Sequence, residues 1–264
     1  MNMYRFEVMT GLRAALLWGI ALAAVAGFMM SLYPSFASDA EQFKQLLNGM
    51  PEAVLKGLDI EIDSITSLLG FYSYIFLYIA LGGSIQAMHL GVSIVSKETR
   101  EKTADFLLTK PVARRSILAA KTCAALTSLL ITNAIYIAAA MLIAQLVHQD
   151  AYSEGALLLI SLTLLFMQLI FLALGYAASM LMPRMRTVLP VSLGTVFAFF
   201  AISFISSSAG DGLLRYFTPF QFFDRAYIMR HNGYEATYLA IGAAVVAVCL
   251  GLSFLHYSRR DVTA

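Results

Sequence analysis

The sequence predicts an all-α membrane protein with six transmembrane helices, both termini cytoplasmic, and short interfacial helices between some of the spans. Three observations carry that prediction. Of 264 residues, 59% are hydrophobic and only 13% are charged, about half the charged share of a soluble globular domain. Six long stretches contain no Asp, Glu, Lys or Arg: Ala14 to Ser38, Ser64 to Ser96, Thr122 to Gln149, Gly155 to Pro183, Thr187 to Gly210 and Ala236 to Ser258. The basic residues crowd into alternate segments between them.

Each stretch is long enough to span. The shortest, Ala236 to Ser258, has 23 residues, and a helix crosses the hydrocarbon core with about 20. Lipid offers no partner to an open backbone amide, so the spans must be helices or a closed barrel. The apolar runs are continuous and do not alternate as barrel strands would. The expected spans are 14–35, 66–95, 116–147, 156–182, 187–208 and 236–257, in one membrane domain covering 1–264. The first run exceeds the roughly 7–15 residues of a signal-peptide core, so it is read as a retained span.

Orientation follows from Lys and Arg. With the N-terminus inside, 13 of the 18 basic residues fall in inner segments, and Lys44, Lys56, Arg215, Arg225 and Arg230 fall outside. The positive-inside rule therefore sets both termini in the cytoplasm.

The segments between spans are unequal. The stretch Met1 to Arg13 suits either a short helix on the inner surface or a basic flank that fixes topology. The first outer segment, 36–65, carries helical periodicity around Phe43, Leu46 and Leu47, with a break at Asn48-Gly49-Met50-Pro51. The second, 209–235, holds Tyr216, Phe217, Phe220, Phe222, Phe223 and Tyr227 around Pro219. Rings of this kind favour the membrane interface, which fits a re-entrant or interfacial element. The inner loop, 97–115, starts as a short amphipathic helix: Glu98 and Lys102 stand four apart in the favourable order. Pro111 ends it and suits the first turn of the next span. Arg114 and Arg115 then sit at a helix start, where the macrodipole disfavours cations. Lipid headgroups or a docking partner would offset that cost.

Polar residues inside the spans are few. Gln86 and His89 in the second, Asn133 in the third and Gln168 in the fourth are candidates for a translocation path or for interhelical hydrogen bonds. Gly19, Ala23 and Gly27 form a small-residue stripe for close helix contact, within one chain or between two.

Several chemistries find no support. There is no Gly-Lys pair and so no phosphate-binding loop of the common kind. CxxC, HExxH and GxSxG are absent, the four histidines fall in four different segments, and no metal site is expected. Cys123 and Cys249 lie in apolar runs and suggest no disulfide framework. A net charge of +2 gives no reason to expect nucleic acid.

The order Glu98, Thr103, Leu107-Leu108, Pro111, Arg114, Lys121 resembles the cytoplasmic loop of permease subunits of ABC-2-type transporters. That family shows an acidic residue, a Gly-Thr pair, a Leu-Leu pair, then Pro-Val-Ser-Arg and a Lys. Here Lys102 replaces the Gly, Ala113 the Ser, and Asp105 stands near the usual Glu. The stretches MPEAVLKGLDI, LGYAASMLMPRMR and RYFTPFQFFD are also similar to the family. The resemblance implies a permease of the bacterial inner (plasma) membrane that pairs with a second permease, the same or a sibling, and binds separate ATP-binding subunits. ATP and Mg would be bound in those partners, with no cofactor and no catalysis in this chain. It also implies that Glu98, Thr103, Asp105, Leu107, Leu108, Pro111 and Arg114 couple the loop to the ATPase, and that transport is export. A gradient-driven carrier using His89, or a membrane scaffold or sensor that moves nothing, are the alternatives.

Overall fold

A computed structural model describes residues 3–57, 64–100, 114–148, 151–182, 187–209 and 214–259, although not the side chains of Phe43, Val95, 97–100, Arg114, Ala209 and 257–259. The described residues are helical almost throughout. Helix α1 is Met3–Ser31, followed by three short helices, α2 (Tyr33–Ser38), α3 (Ala40–Asn48) and α4 (Glu52–Gly57). Then come α5 (Leu68–Arg100), α6 (Arg114–Val147), α7 (Glu154–Leu181) and α8 (Leu189–Ala209). Two 3-10 turns, Leu214–Phe217 and Pro219–Gln221, lead to α9 (Arg225–His231) and α10 (Ala236–Arg259). Among the described residues, six helices are long and apolar enough to cross a membrane: α1, α5, α6, α7, α8 and α10. An even number of crossings puts both termini on one side.

Two helices make the core. In α5 and α7, 67% and 61% of the most apolar window is buried, against 17–28% in the other four. The latter therefore turn most of their apolar surface outward, as lipid permits. The central pair crosses at two glycines. A Cβ on Gly91 would fall 2.4 Å from the Leu172 carbonyl oxygen, and one on Gly175 would fall 2.8 Å from that of Met88. Backbones meet here because neither residue has a side chain.

The stripe on α1 is spent inside the chain. Gly19 faces Ile135 and Gly27 faces Ile143, both on α6. Eight residues on one helix match eight on the other, so α1 and α6 run parallel. α1 also starts earlier than a separate surface helix would allow: it is continuous from Met3. Tyr4 hydrogen-bonds Thr127 of α6 at 2.9 Å, so the N-terminal stretch extends the span and packs on its neighbour.

Caps fix the ends. Ser153 accepts the Ala156 N–H at 3.2 Å to start α7, with Glu154 in the first turn. Asp224 accepts the Tyr227 N–H at 3.0 Å to start α9, which stops at Asn232 in the left-handed region (φ 49°). In the first outer segment, α3 and α4 lie on either side of Gly49-Met50-Pro51. Leu47, Leu55 and Ile65 form a small second core against Tyr74. α4 is held on α8: Ser208 donates to the Ala53 carbonyl at 2.8 Å, and a Cβ on Gly57 would fall 2.5 Å from the Phe204 ring.

The aromatic outer segment does not stay at the surface. Thr218 donates to the Phe199 carbonyl at 2.9 Å, and the Gln221 amide donates to that of Ser203 at 2.9 Å. Phe199 lies ten residues before the end of α8, so the segment dips about 15 Å along that helix. Phe220 meets Phe171 and Phe200, while Phe223 stacks on Phe166. Pro219 removes one backbone donor, and aromatic burial stabilises the turn that follows.

Candidate functional site

Three polar regions interrupt the apolar bundle. The first lies where the inner loop leaves it. The helix of α5 runs on through Arg100, so the first residues of the 97–115 loop continue the second span. α6 begins at Arg114. Glu98 thus lies on the last turn of α5 and Arg114 on the first of α6. Thr103, Asp105, Leu107, Leu108 and Pro111 lie outside the described residues. Just inside the bundle, Lys121 is 1% exposed, and its Nζ donates to the Ile94 carbonyl at 2.6 Å. This contact ties the two helices that bracket the loop. A lysine that deep is costly unless it has partners. The sequence marks Lys121 only as one member of the loop pattern, because nothing local says which carbonyl it reaches.

The second region lies in mid-bundle. Gln86 donates to Thr132 at 2.8 Å, and the Thr132 hydroxyl is 3.1 Å from the Ala15 carbonyl. Gln168 donates to the Gln86 side-chain oxygen at 3.1 Å and accepts from Asn133 at 2.6 Å. The Asn133 amide also reaches the Leu129 carbonyl at 2.8 Å. Four helices, α1, α5, α6 and α7, are joined through these groups. Gln86, Asn133 and Gln168 are all buried, and Asn133 Oδ1 meets no donor among the described residues. Of the four span residues singled out from sequence, three therefore join in one network. His89 is half-buried one turn further along α5. A second buried cluster, Tyr72 with Tyr136 and Ser161, links α5, α6 and α7 nearer the other end.

The third region is the one sequence reasoning missed. The re-entrant segment carries Arg225 into the bundle, where it is 8% exposed and donates through Nη1 to the Ser73 carbonyl at 3.1 Å. Beside it is a cavity of about 220 Å³ lined by Arg225, Asp224, Arg215, Gln221, Ser203 and Leu77, among others. Arg215 pairs with Glu235 at 2.6 Å, donates to the Gln221 carbonyl at 3.1 Å and lies over the Tyr238 ring at 3.9 Å. Gln221 also accepts from Ser206 at 2.9 Å. Nearby, Tyr234 donates to the Leu159 carbonyl at 2.7 Å. Burial holds its hydroxyl above the ordinary tyrosine range, so it remains a donor. In the sequence, Arg215 and Arg225 look like charges flanking a span. The available signal was the aromatic run around Pro219, which could fold inward and take its neighbours with it.

Among the described residues no group of His, Cys, Asp and Glu could hold a metal. Six candidate spans among the described residues, a two-helix core and buried polar groups linking the helices define a multi-pass membrane protein. A family model described as ABC-2 family transporter protein matches residues 1–262, and the chain belongs to that family. It is thus a membrane permease component, in keeping with the loop resemblance. No curated protein matches the chain.

Proposed function

We propose that the chain is the permease subunit of an ATP-driven ABC-2-type exporter of the bacterial plasma membrane. It pairs with a second permease, the same or a sibling. Separate ATP-binding subunits hold ATP and Mg and dock on the cytoplasmic loop, 97–115. The supporting observation is the loop's mounting. Its two ends are continuous with α5 and α6, and Lys121 bonds these helices together close to the ends. A force on the loop therefore reaches two spans as one unit.

In this mechanism, Glu98, Thr103, Asp105, Leu107, Leu108, Pro111 and Arg114 contact the ATPase. Closure of the ATPases around nucleotide tilts the α5–α6 hairpin. Gln86, Asn133 and Gln168 hydrogen-bond to one another within one chain, so we give them the role of a clamp that carries α1 and α7 with the hairpin. The path opens between paired permeases. Away from their ends the spans hold no fixed charge to match a bare ion, which favours an amphiphilic cargo.

The test needs no knowledge of the cargo. In a cysteine-free background, spin labels go on Leu146 of α6, which the clamp carries, and on Ile205 of α8, which lies outside it; both are largely exposed and both are at the end remote from the loop. In the reconstituted complex, ATP should change the distance between them. In the E98Q/R114Q variant the change should vanish while hydrolysis continues. The same ATP-driven change in both proteins would refute the coupling assignment.

A further inference from the structure

We propose that the cavity beside Arg225 binds a group carrying both a phosphate and an ammonium, of the kind presented by a zwitterionic phospholipid headgroup. The proposal shares with the permease reading only the outward placement of this end.

Charge is the first argument. The six long apolar stretches are free of Asp, Glu, Lys and Arg, yet the fold brings Arg225 and Asp224 into the wall of one cavity beside them. Arg225 is more than nine-tenths buried. Ionisable side chains at membrane depth are costly and tend to serve a ligand. A guanidinium suits a phosphate, with its planar donor edge, and the adjacent carboxylate suits an ammonium. One Asp224 oxygen caps the Tyr227 N–H at 3.0 Å, which fixes the carboxylate in place. Gln221 and Ser203 add neutral polar groups, and Leu77 supplies an apolar wall.

Depth and size agree. Ser203 lies six residues before the end of α8, and Leu77 nine residues after the start of α5. These positions are about 9–13 Å inside the helix ends, where headgroups give way to acyl chains. A volume of about 220 Å³ equals roughly seven waters in the liquid. The whole phosphoethanolamine unit of phosphatidylethanolamine, phosphate and amine included, has a similar number of non-hydrogen atoms, whereas a drug-sized ligand needs roughly 300 Å³ or more.

The full chain is purified in mild detergent without any ATPase and titrated with phosphatidylethanolamine, phosphatidylglycerol or free O-phosphoethanolamine, with binding read by native mass spectrometry. Phosphatidylethanolamine should bind more tightly than phosphatidylglycerol, which lacks the ammonium. R225Q and D224N should each weaken it by about tenfold or more, and D224N should leave phosphatidylglycerol unaffected. Ser203→Phe fills the cavity from the α8 wall and should weaken binding equally, so the site stays testable if a charge variant misfolds. If the lipid binds and O-phosphoethanolamine competes with it only weakly, the source is the membrane. If only the free compound binds, the source is a soluble cargo. Binding of phosphatidylethanolamine that is unchanged in all three variants, or no binding of either the lipid or O-phosphoethanolamine, would overturn the proposal. Neither failure touches the ATP-driven reading, since no ATPase is present. Conversely, loss of the ATP-driven distance change with binding intact would count against that reading alone.

Discussion

A glutamine side chain in mid-membrane has two donors and an acceptor to satisfy, and lipid offers nothing. Gln168 solves this with Gln86 on α5, Asn133 on α6 and a weaker contact to the Gly83 carbonyl at 3.4 Å. Gln168→Leu would strip partners from two other buried amides. The expected cost is about 1–2 kcal/mol, the scale of interhelical hydrogen bonds in membranes. Unfolding in mixed micelles should show a lowered midpoint. An unchanged midpoint would mean that the network adds no stability. Gln86, Asn133 and Gln168 stand out in the sequence because their surroundings are apolar. That they meet does not, since it depends on the register of α5 against α6 and α7. Arg225 shows the opposite failure. It reads as a flanking charge, and only the inward fold of the preceding aromatic segment buries it.

At the scale of elements, glycine spacing decides how closely helices approach. Gly19 and Gly27 lie four residues on either side of Ala23, so their stripe is legible in sequence, although its partner α6 is not. Gly91 and Gly175 are single glycines in different spans, and no spacing rule links them. They nonetheless mark the closest crossing in the core. Gly175→Leu would push a side chain against the Met88 carbonyl and the Gly91 Cα, 2.8 and 3.0 Å from the first added atom. Overpacking of this kind costs about 1–3 kcal/mol. The expected result is a lower thermal midpoint in detergent, with Gly194→Leu, which meets open space, near wild type. Equal midpoints would contradict the close crossing. The spans themselves were the most legible elements, because absence of charge over more than 20 residues has few explanations. Their ends were less so. α1 starts at Met3 and α5 runs to Arg100, because a helix continues past the hydrocarbon wherever packing or propensity supports it.

For the whole molecule, the asymmetry of charge and of structure point the same way. Basic residues gather at the end that carries the loop and both termini. The opposite end carries the short helices, the re-entrant segment and the polar cavity. The positive-inside rule puts the first end in the cytoplasm and the second outside, which is the arrangement that the proposed docking of an ATPase needs. The family match covers nearly the whole length of the chain, and the proposed function assigns the energy for transport to another subunit. Co-expression with the cognate ATP-binding protein, followed by purification through a tag on this chain alone, tests that claim most directly. The account predicts a stable complex with the two proteins in equal amounts, which survives mild detergent. Recovery of this chain without the ATP-binding protein, under conditions that keep its six helices folded, would contradict it.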